Sequence, residues 1–92
     1  MRHTRLRVIG EIDDRAAPRL RTRLQIEIDA SEGDLFVDCS GMPFLDSDGL
    51  MPILEAEHDL RLRRRRLVLV NLHDAPRRKL ELLGLHEYLT GA

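Results

Sequence analysis

The chain has 92 residues, which is enough for one domain and not for two. Its 15 basic and 16 acidic side chains leave a formal net charge of −1, so no overall charge draws the protein to nucleic acid or to an anionic membrane. The single cysteine, Cys39, excludes a disulfide within one chain and fits a reducing compartment. No apolar run approaches the length of a membrane span and the N-terminus shows no leader pattern, so we expect a cytoplasmic protein.

The first half of the chain predicts a strand, a helix and a second strand. Apolar residues alternate over residues 5–12 and indicate a half-buried strand with an irregularity near Gly10. A helical stripe of apolar residues predicts a helix over about residues 14–30. Residues 35–39 are almost continuously apolar, which is typical of a central strand covered on both faces.

The junction Asp46-Ser47-Asp48-Gly49 separates that strand from a second helix pattern. An acidic side chain here can accept hydrogen bonds from the free N–H groups of a helix's first turn, and we expect Gly49 to let the backbone bend. The apolar periodicity predicts a helix from near Asp48 to about Leu62. Ser47 would then place an exposed hydroxyl at the positive end of a helix, where a negative group is tolerated.

Three further elements complete the chain: a buried strand over 67–70, a helix capped by Asp74 and ended by Gly84, and a short final segment over 85–89 that packs on the sheet edge. Strand and helix alternate three times, which predicts an α/β fold with crossover helices on a small, mostly parallel β-sheet. Such a sheet has an exposed edge, so we expect either a further strand or a homodimer formed through that edge.

Three segments, with the spacing between them, resemble the STAS domain family, the modules of sulfate transporters and anti-sigma factor antagonists. The segment Gly10-Glu-Ile-Asp13, followed by Ala17-Pro-Arg-Leu20, resembles the opening of the family. The segment Val37-Asp-Cys-Ser-Gly-Met-Pro-Phe-Leu-Asp-Ser-Asp-Gly-Leu50 resembles its central signature, and Leu80-Glu-Leu-Leu-Gly-Leu85 resembles its end.

The resemblance covers roughly residues 5–89 and implies that residues 1–92 form a single domain with a STAS-like fold. It departs from the family in three ways. The usual first strand is missing, because the chain starts at what would be the second, and the usual last strand or helix is curtailed after Tyr88. The family usually has Ser or Thr after its phosphoacceptor serine, whereas this chain has Asp48.

The antagonist branch of the family implies a function and a site. There, an anti-sigma factor that is a serine kinase of the histidine-kinase-like ATPase fold phosphorylates the antagonist; the unphosphorylated form binds it and frees the sigma factor. Ser47 matches the phosphoacceptor, Asp46 the acidic position before it, and Asp13 the acidic residue at the strand end. We expect Asp13 mainly to cap the first helix, and the partner-binding set is Asp13, Asp46, Ser47, Asp48 and Gly49.

Other functions compete with this one. STAS modules also act as non-phosphorylated adaptor subunits, for example in a lipid-transport ABC system. Asp46, Asp48 and Gly49 share the spacing of a calcium loop, but Phe44 would occupy its first ligand position. The four histidines have no metal-ligand spacing, and the arginines at 63–66 follow a helix end, where we expect solvent rather than nucleic acid around them. We therefore expect no enzyme activity, cofactor or metal.

Overall fold

Strands and helices alternate along residues 3–91, the part of the chain that the computed structural model describes; residues 1, 2 and 92 of the predicted domain lie outside it. The strands are β1 (Thr4–Ile9), β2 (Leu35–Gly41) and β3 (Leu67–Val70). The helices are α1 (Ala17–Ala30), α2 (Ser47–Leu62), α3 (Asp74–Leu82) and α4 (His86–Thr90). The strands form one parallel sheet in the order β1-β2-β3, which confirms the predicted α/β class.

The helices cover one face of this sheet. In β2, Leu35, Val37 and Cys39 are fully buried, whereas Phe36 and Asp38 between them are half-buried. All four described helices contribute buried side chains to one apolar cluster, and the strand residues of the same face complete it. The expectation that β2 is covered on both faces is therefore wrong for the described residues. The apolar Phe36 hides the alternation in the sequence.

The other face of the sheet carries Asp38 near its centre. Its Oδ1 accepts hydrogen bonds from the Ser40 N–H at 3.0 Å and from the Asn71 side-chain amide at 3.1 Å. These donors, the Ser40 N–H first, lower the pKa of Asp38 to about 2. The carboxylate therefore stays charged and ties β2 to the turn that follows β3.

The first strand is shorter than the pattern predicts. It ends at Ile9 because Gly10 takes a φ of +97°, a left-handed conformation that leaves the ladder. The pairing of β1 with β2 also shifts register between Arg7 and Ile9, which is the predicted irregularity. Ile12 rejoins the sheet only through a single bridge to Leu45.

The arginine run after α2 is only partly in solvent, because Arg65 is buried. Its guanidinium donates to the carbonyl of Gly33 at 2.7 Å, to the carbonyl of Ile28 at 3.0 Å and to the Ser31 hydroxyl at 2.6 Å. Each nitrogen has an acceptor, so the burial of this charge is compensated. The expectation that the whole run is solvated is therefore wrong at Arg65, which holds the end of α1 and the turn into β2.

The C-terminal elements close the core over β3. Gly84 has a φ of +71° and the N–H of Leu85 donates to the carbonyl of Leu80 at 2.8 Å, so Gly84 ends α3 as predicted. The predicted cap by Asp74 is wrong, because Asp74 is the first residue of α3 and the N-cap position is occupied by His73, without a side-chain hydrogen bond. The final segment is helical and α4 packs on β3, the edge strand, with Leu89 fully buried. None of the helices described in residues 3–91 is both long and apolar enough to cross a bilayer.

Candidate functional site

The carboxyl ends of β1 and β2 bring the two predicted acidic positions, Asp13 and Asp46, to the same end of the sheet. The N–H of Ile12 donates to the carbonyl of Phe44 at 3.0 Å, and the carbonyl of Ile12 accepts from the N–H of Asp46 at 3.1 Å. Asp13, the next residue after Ile12, therefore starts beside the segment that leads into α2. This end of the sheet, where the parallel strands have their carboxyl ends, is where open α/β sheets usually bind their ligands.

Asp46 caps α2. Its backbone is extended, its Oδ1 accepts from the N–H of Gly49 at 2.8 Å, and its carbonyl accepts from the N–H of Leu50 at 3.0 Å. The predicted N-cap chemistry is confirmed, and the helix begins at Ser47, one residue before the predicted start. The cap fixes the direction in which the first turn of α2 leaves the sheet.

Ser47 and Asp48 are the first two residues of α2, and both are exposed. Within residues 3–91, no other group hydrogen-bonds to either side chain. The hydroxyl of Ser47 is therefore free for a partner, between the half-buried carboxylate of Asp46 and the exposed carboxylate of Asp48.

Gly49 lies beneath this surface and is buried. A Cβ at this position would lie 2.5 Å from both Cγ2 and the carbonyl oxygen of Ile12, far inside van der Waals contact. Gly49 is within α2, so its backbone is helical and the expected bend is wrong. The absence of a side chain is needed because the first turn of α2 packs directly on the end of β1.

Asp13 holds the turn that precedes α1. Its Oδ1 accepts from the N–H groups of Arg15 and Ala16, both at 3.0 Å, and its carbonyl accepts from the N–H of Ala17 at 2.9 Å. Asp13 therefore caps the turn before α1, whereas we expected it to cap α1 itself. The helix begins at Ala17 rather than at residue 14. Asp13 is half-buried, so part of its carboxylate is accessible.

A groove that the sequence analysis missed lies beside Asp46. We call it the α3 groove, and its lining residues are Phe44, Leu45 and Asp46 from the loop before α2 and Asp74, Ala75, Arg78, Lys79 and Leu82 from α3. Phe44 is 45% exposed and Leu82 is 82% exposed. Leu82 lies outside the buried stripe of α3. An apolar residue on the polar face of a predicted helix is the sequence feature that could have indicated the groove.

The described residues offer no metal centre and no activated thiol. Across residues 3–91, no three His, Cys, Asp or Glu side chains gather as a metal site. Burial, and then the charge of Asp38, raise the pKa of the Cys39 thiol to about 12. Cys39 therefore stays protonated and acts as a small core residue.

Comparisons with known proteins agree with this architecture. The model of the STAS domain family matches residues 2–91. Over 88 residues the chain is 33% identical to an anti-sigma-B factor antagonist of Listeria monocytogenes, a match that covers 95% of this chain and 76% of that protein. The anti-sigma-B factor antagonist of Listeria innocua matches with the same identity and coverage.

Two solved structures share the fold. A sulfate transporter family protein from Wolinella succinogenes superposes with a TM-score of 0.80 at 20% identity, over 97% of this chain and 72% of that one. The anti-sigma factor antagonist SpoIIAA, in its unphosphorylated form, superposes with a TM-score of 0.68 at 24% identity, over 89% of this chain and 76% of that one. The predicted STAS-like fold is confirmed, and by its family match over nearly its whole length the chain belongs to the STAS domain family.

Proposed function

We propose that this protein is an anti-sigma factor antagonist, a regulatory binding module and not an enzyme. Its partner is an anti-sigma factor serine kinase of the histidine-kinase-like ATPase fold, and phosphorylation of Ser47 dissociates the complex. The observation that carries the proposal is the exposed, unbonded hydroxyl of Ser47 at the start of α2. Its support is the 33% identity to anti-sigma-B factor antagonists over 95% of the chain.

The partner-binding surface in this proposal is the end of the sheet where the carboxyl ends of β1 and β2 lie. Asp13, Asp46, Ser47 and Asp48 are accessible there, and the buried Gly49 sets the position of the first turn of α2 beneath them. The hydroxyl oxygen of Ser47 attacks the γ-phosphorus of ATP, the bond from that phosphorus to the bridging oxygen breaks, and ADP leaves. The hydroxyl proton passes to a base of the kinase.

The phosphate acts on the complex rather than on the fold. A phosphoserine carries about −1.5 to −2 charges, and the N-terminus of α2 favours a negative group by about 0.3–1 kcal/mol. The kinase's nucleotide must lie opposite Ser47 during transfer, so its phosphates repel the new one when the nucleotide site is occupied. A hundredfold loss of affinity requires only about 2.7 kcal/mol.

Asp48 places a permanent carboxylate beside the proposed phosphorylation site, Ser47. It is exposed and unpaired among the described residues. We propose that the partner presents a basic group opposite it, which would offset the charge and help to orient the serine.

The proposal is tested by intact-mass measurement after incubation with the cognate anti-sigma factor and ATP. Wild-type protein should gain one phosphate, Ser47→Ala none, and the control Ser40→Ala, at another exposed serine, should behave as wild type. Ser47→Ala should still bind the anti-sigma factor, because only the hydroxyl is removed.

Failure of the wild-type protein both to bind the anti-sigma factor and to accept phosphate would overturn the proposal. Co-purification with a transporter ATPase instead of a kinase would favour the adaptor function.

We also propose that residues 1–92 act as one STAS-like domain in the cytoplasm. The unpaired, buried thiol of Cys39 is compatible with that reducing compartment. A homodimer formed through the free edge of β1 is the final element of the proposal.

A further inference from the structure

We propose that the α3 groove is a second contact surface for the anti-sigma factor and that it binds an apolar side chain flanked by carboxylates. This inference rests on the proposed function and adds a surface that lies outside the signature around Ser47. Three properties of the groove carry it: its exposed apolar walls, its unpaired cations and its continuity with the cap of α2.

The apolar walls come from two different elements. Phe44, from the loop before α2, is 45% exposed, and Leu82, from α3, is 82% exposed. Ala75 lies in the same lining and is also exposed. A leucine so exposed contributes little to the core. Two large apolar side chains that line one groove can bind an apolar side chain of a partner.

The charge of the groove favours an acidic partner. Arg78 and Lys79 line it, and within residues 3–91 neither forms an ion pair. Their neighbour Arg77 does not line the groove and is 3.4 Å from the carboxylate of Asp74. The groove's other carboxylate, Asp46, accepts the N–H of Gly49. The two unpaired cations therefore favour carboxylates on the segment that enters.

The groove is continuous with the proposed phosphorylation site at Ser47, because Asp46 contributes to both. It lines the groove and caps the helix that begins with Ser47. The partner thus meets an unpaired carboxylate, Asp48, on one side and unpaired cations on α3 on the other. Opposite charges at the two ends fix the orientation of the partner, which places its nucleotide over Ser47.

The groove is tested without the anti-sigma factor by titrating the labelled protein with a short, end-blocked peptide, Asp-Leu-Glu-Phe-Asp, in amide NMR spectra. We expect shifts confined to the groove, at Phe44, Ala75, Arg78 and Leu82. Arg78→Glu should abolish them, and the same peptide with lysine at its acidic positions should produce none. Absence of shifts at the groove, or equal shifts with the lysine peptide, would show that the groove does not select this chemistry.

The complex is tested with the whole chain and the anti-sigma factor. Arg78→Glu and Leu82→Asp should each weaken binding about tenfold. The control Arg23→Glu makes the same charge change at an exposed residue of α1 outside the groove and should bind as wild type. All three side chains are exposed, and circular dichroism checks that the variants fold. If wild type binds and the groove variants bind equally well, the groove proposal is wrong and the proposed function stands. If wild type does not bind, the proposed function fails, and the peptide titration still decides what the groove accepts.

Discussion

Gly49 determines how closely the start of α2 approaches the end of β1. A methyl group there would lie 2.5 Å from Cγ2 and from the carbonyl oxygen of Ile12, and that carbonyl also accepts the N–H of Asp46. We expect Gly49→Ala to lower the free energy of unfolding by about 1–3 kcal/mol, as overpacking does. The displaced backbone should also slow phosphorylation of Ser47. Urea denaturation and the phosphorylation rate measure the two effects.

Asp48→Ala is the matched control for the stability measurement alone, since it alters the preceding, exposed residue of the same turn. It removes only a carboxylate near the helix N-terminus, which should cost less than about 1 kcal/mol. A Gly49→Ala variant as stable as wild type would show that the junction can open without cost.

Residues whose contacts are close in the chain could be predicted, and residues with distant contacts could not. Asp46 caps a helix through the N–H of Gly49, three residues ahead, so the pattern alone indicates the hydrogen bond. Arg65 finds its acceptors at Ile28, Ser31 and Gly33, more than thirty positions earlier. No local pattern distinguishes Arg65 from the solvated arginines beside it.

At the scale of elements, a buried carboxylate joins α2 to α4. Glu57 is 1% exposed, and the Arg61 guanidinium lies 2.8 Å from its Oε1. The Tyr88 hydroxyl donates to the other oxygen of Glu57, and the Arg61 guanidinium also lies 4.6 Å above the Tyr88 ring. The hydrogen bond to Glu57 is the main cause that raises the pKa of Tyr88.

We therefore expect Tyr88→Phe to loosen α4. The change leaves one oxygen of the buried Glu57 carboxylate without its donor. It should cost about 1–2 kcal/mol, in the lower part of the usual range, because position 88 is partly exposed and water can replace the lost hydroxyl. Denaturant unfolding gives the stability, and amide hydrogen exchange should show the loss concentrated in α4. Glu55→Gln, which breaks an exposed ion pair with Arg21, is the control and should change both readouts less. Unchanged exchange in α4 would contradict the coupling.

The order and type of the elements follow from apolar periodicity, which is a local property, and they were predicted correctly. Their boundaries and layers depend on contacts between elements. The helix predicted from residue 14 begins at Ala17 because Asp13 holds a separate turn. The α3 groove escaped prediction for the same reason, since its two walls come from segments that only the fold brings together.

At the scale of the whole molecule, the net charge of −1 conceals separated charges. The start of α2 carries exposed and half-buried carboxylates, α3 carries unpaired cations, and β1 carries exposed arginines. This separation gives each surface its own electrostatic preference, so a single net charge does not describe how the molecule meets partners.

The edge of β1 that faces away from β2 is unpaired within residues 3–91. The N–H of Thr4 donates toward β2, to the carbonyl of Asp34 at 2.9 Å. Since backbone groups alternate sides along a parallel strand, those of Arg5 and Arg7 face the free edge. A second copy that pairs there would bring the arginines of both chains together, and like charges on paired strands repel.

Salt should therefore promote the proposed dimer. Screening shortens the reach of charge from about 10 Å at 0.1 M to about 3 Å at 1 M ionic strength, which weakens the repulsion between the arginines but not the backbone hydrogen bonds. Sedimentation velocity at about 0.05 M and 0.5 M sodium chloride should show more dimer at the higher concentration. Arg7→Pro, which removes an edge N–H, should abolish the dimer, whereas Arg7→Lys keeps the charge and the N–H and should retain it. A strict monomer at both salt concentrations, even at high protein concentration, would exclude self-association through this edge.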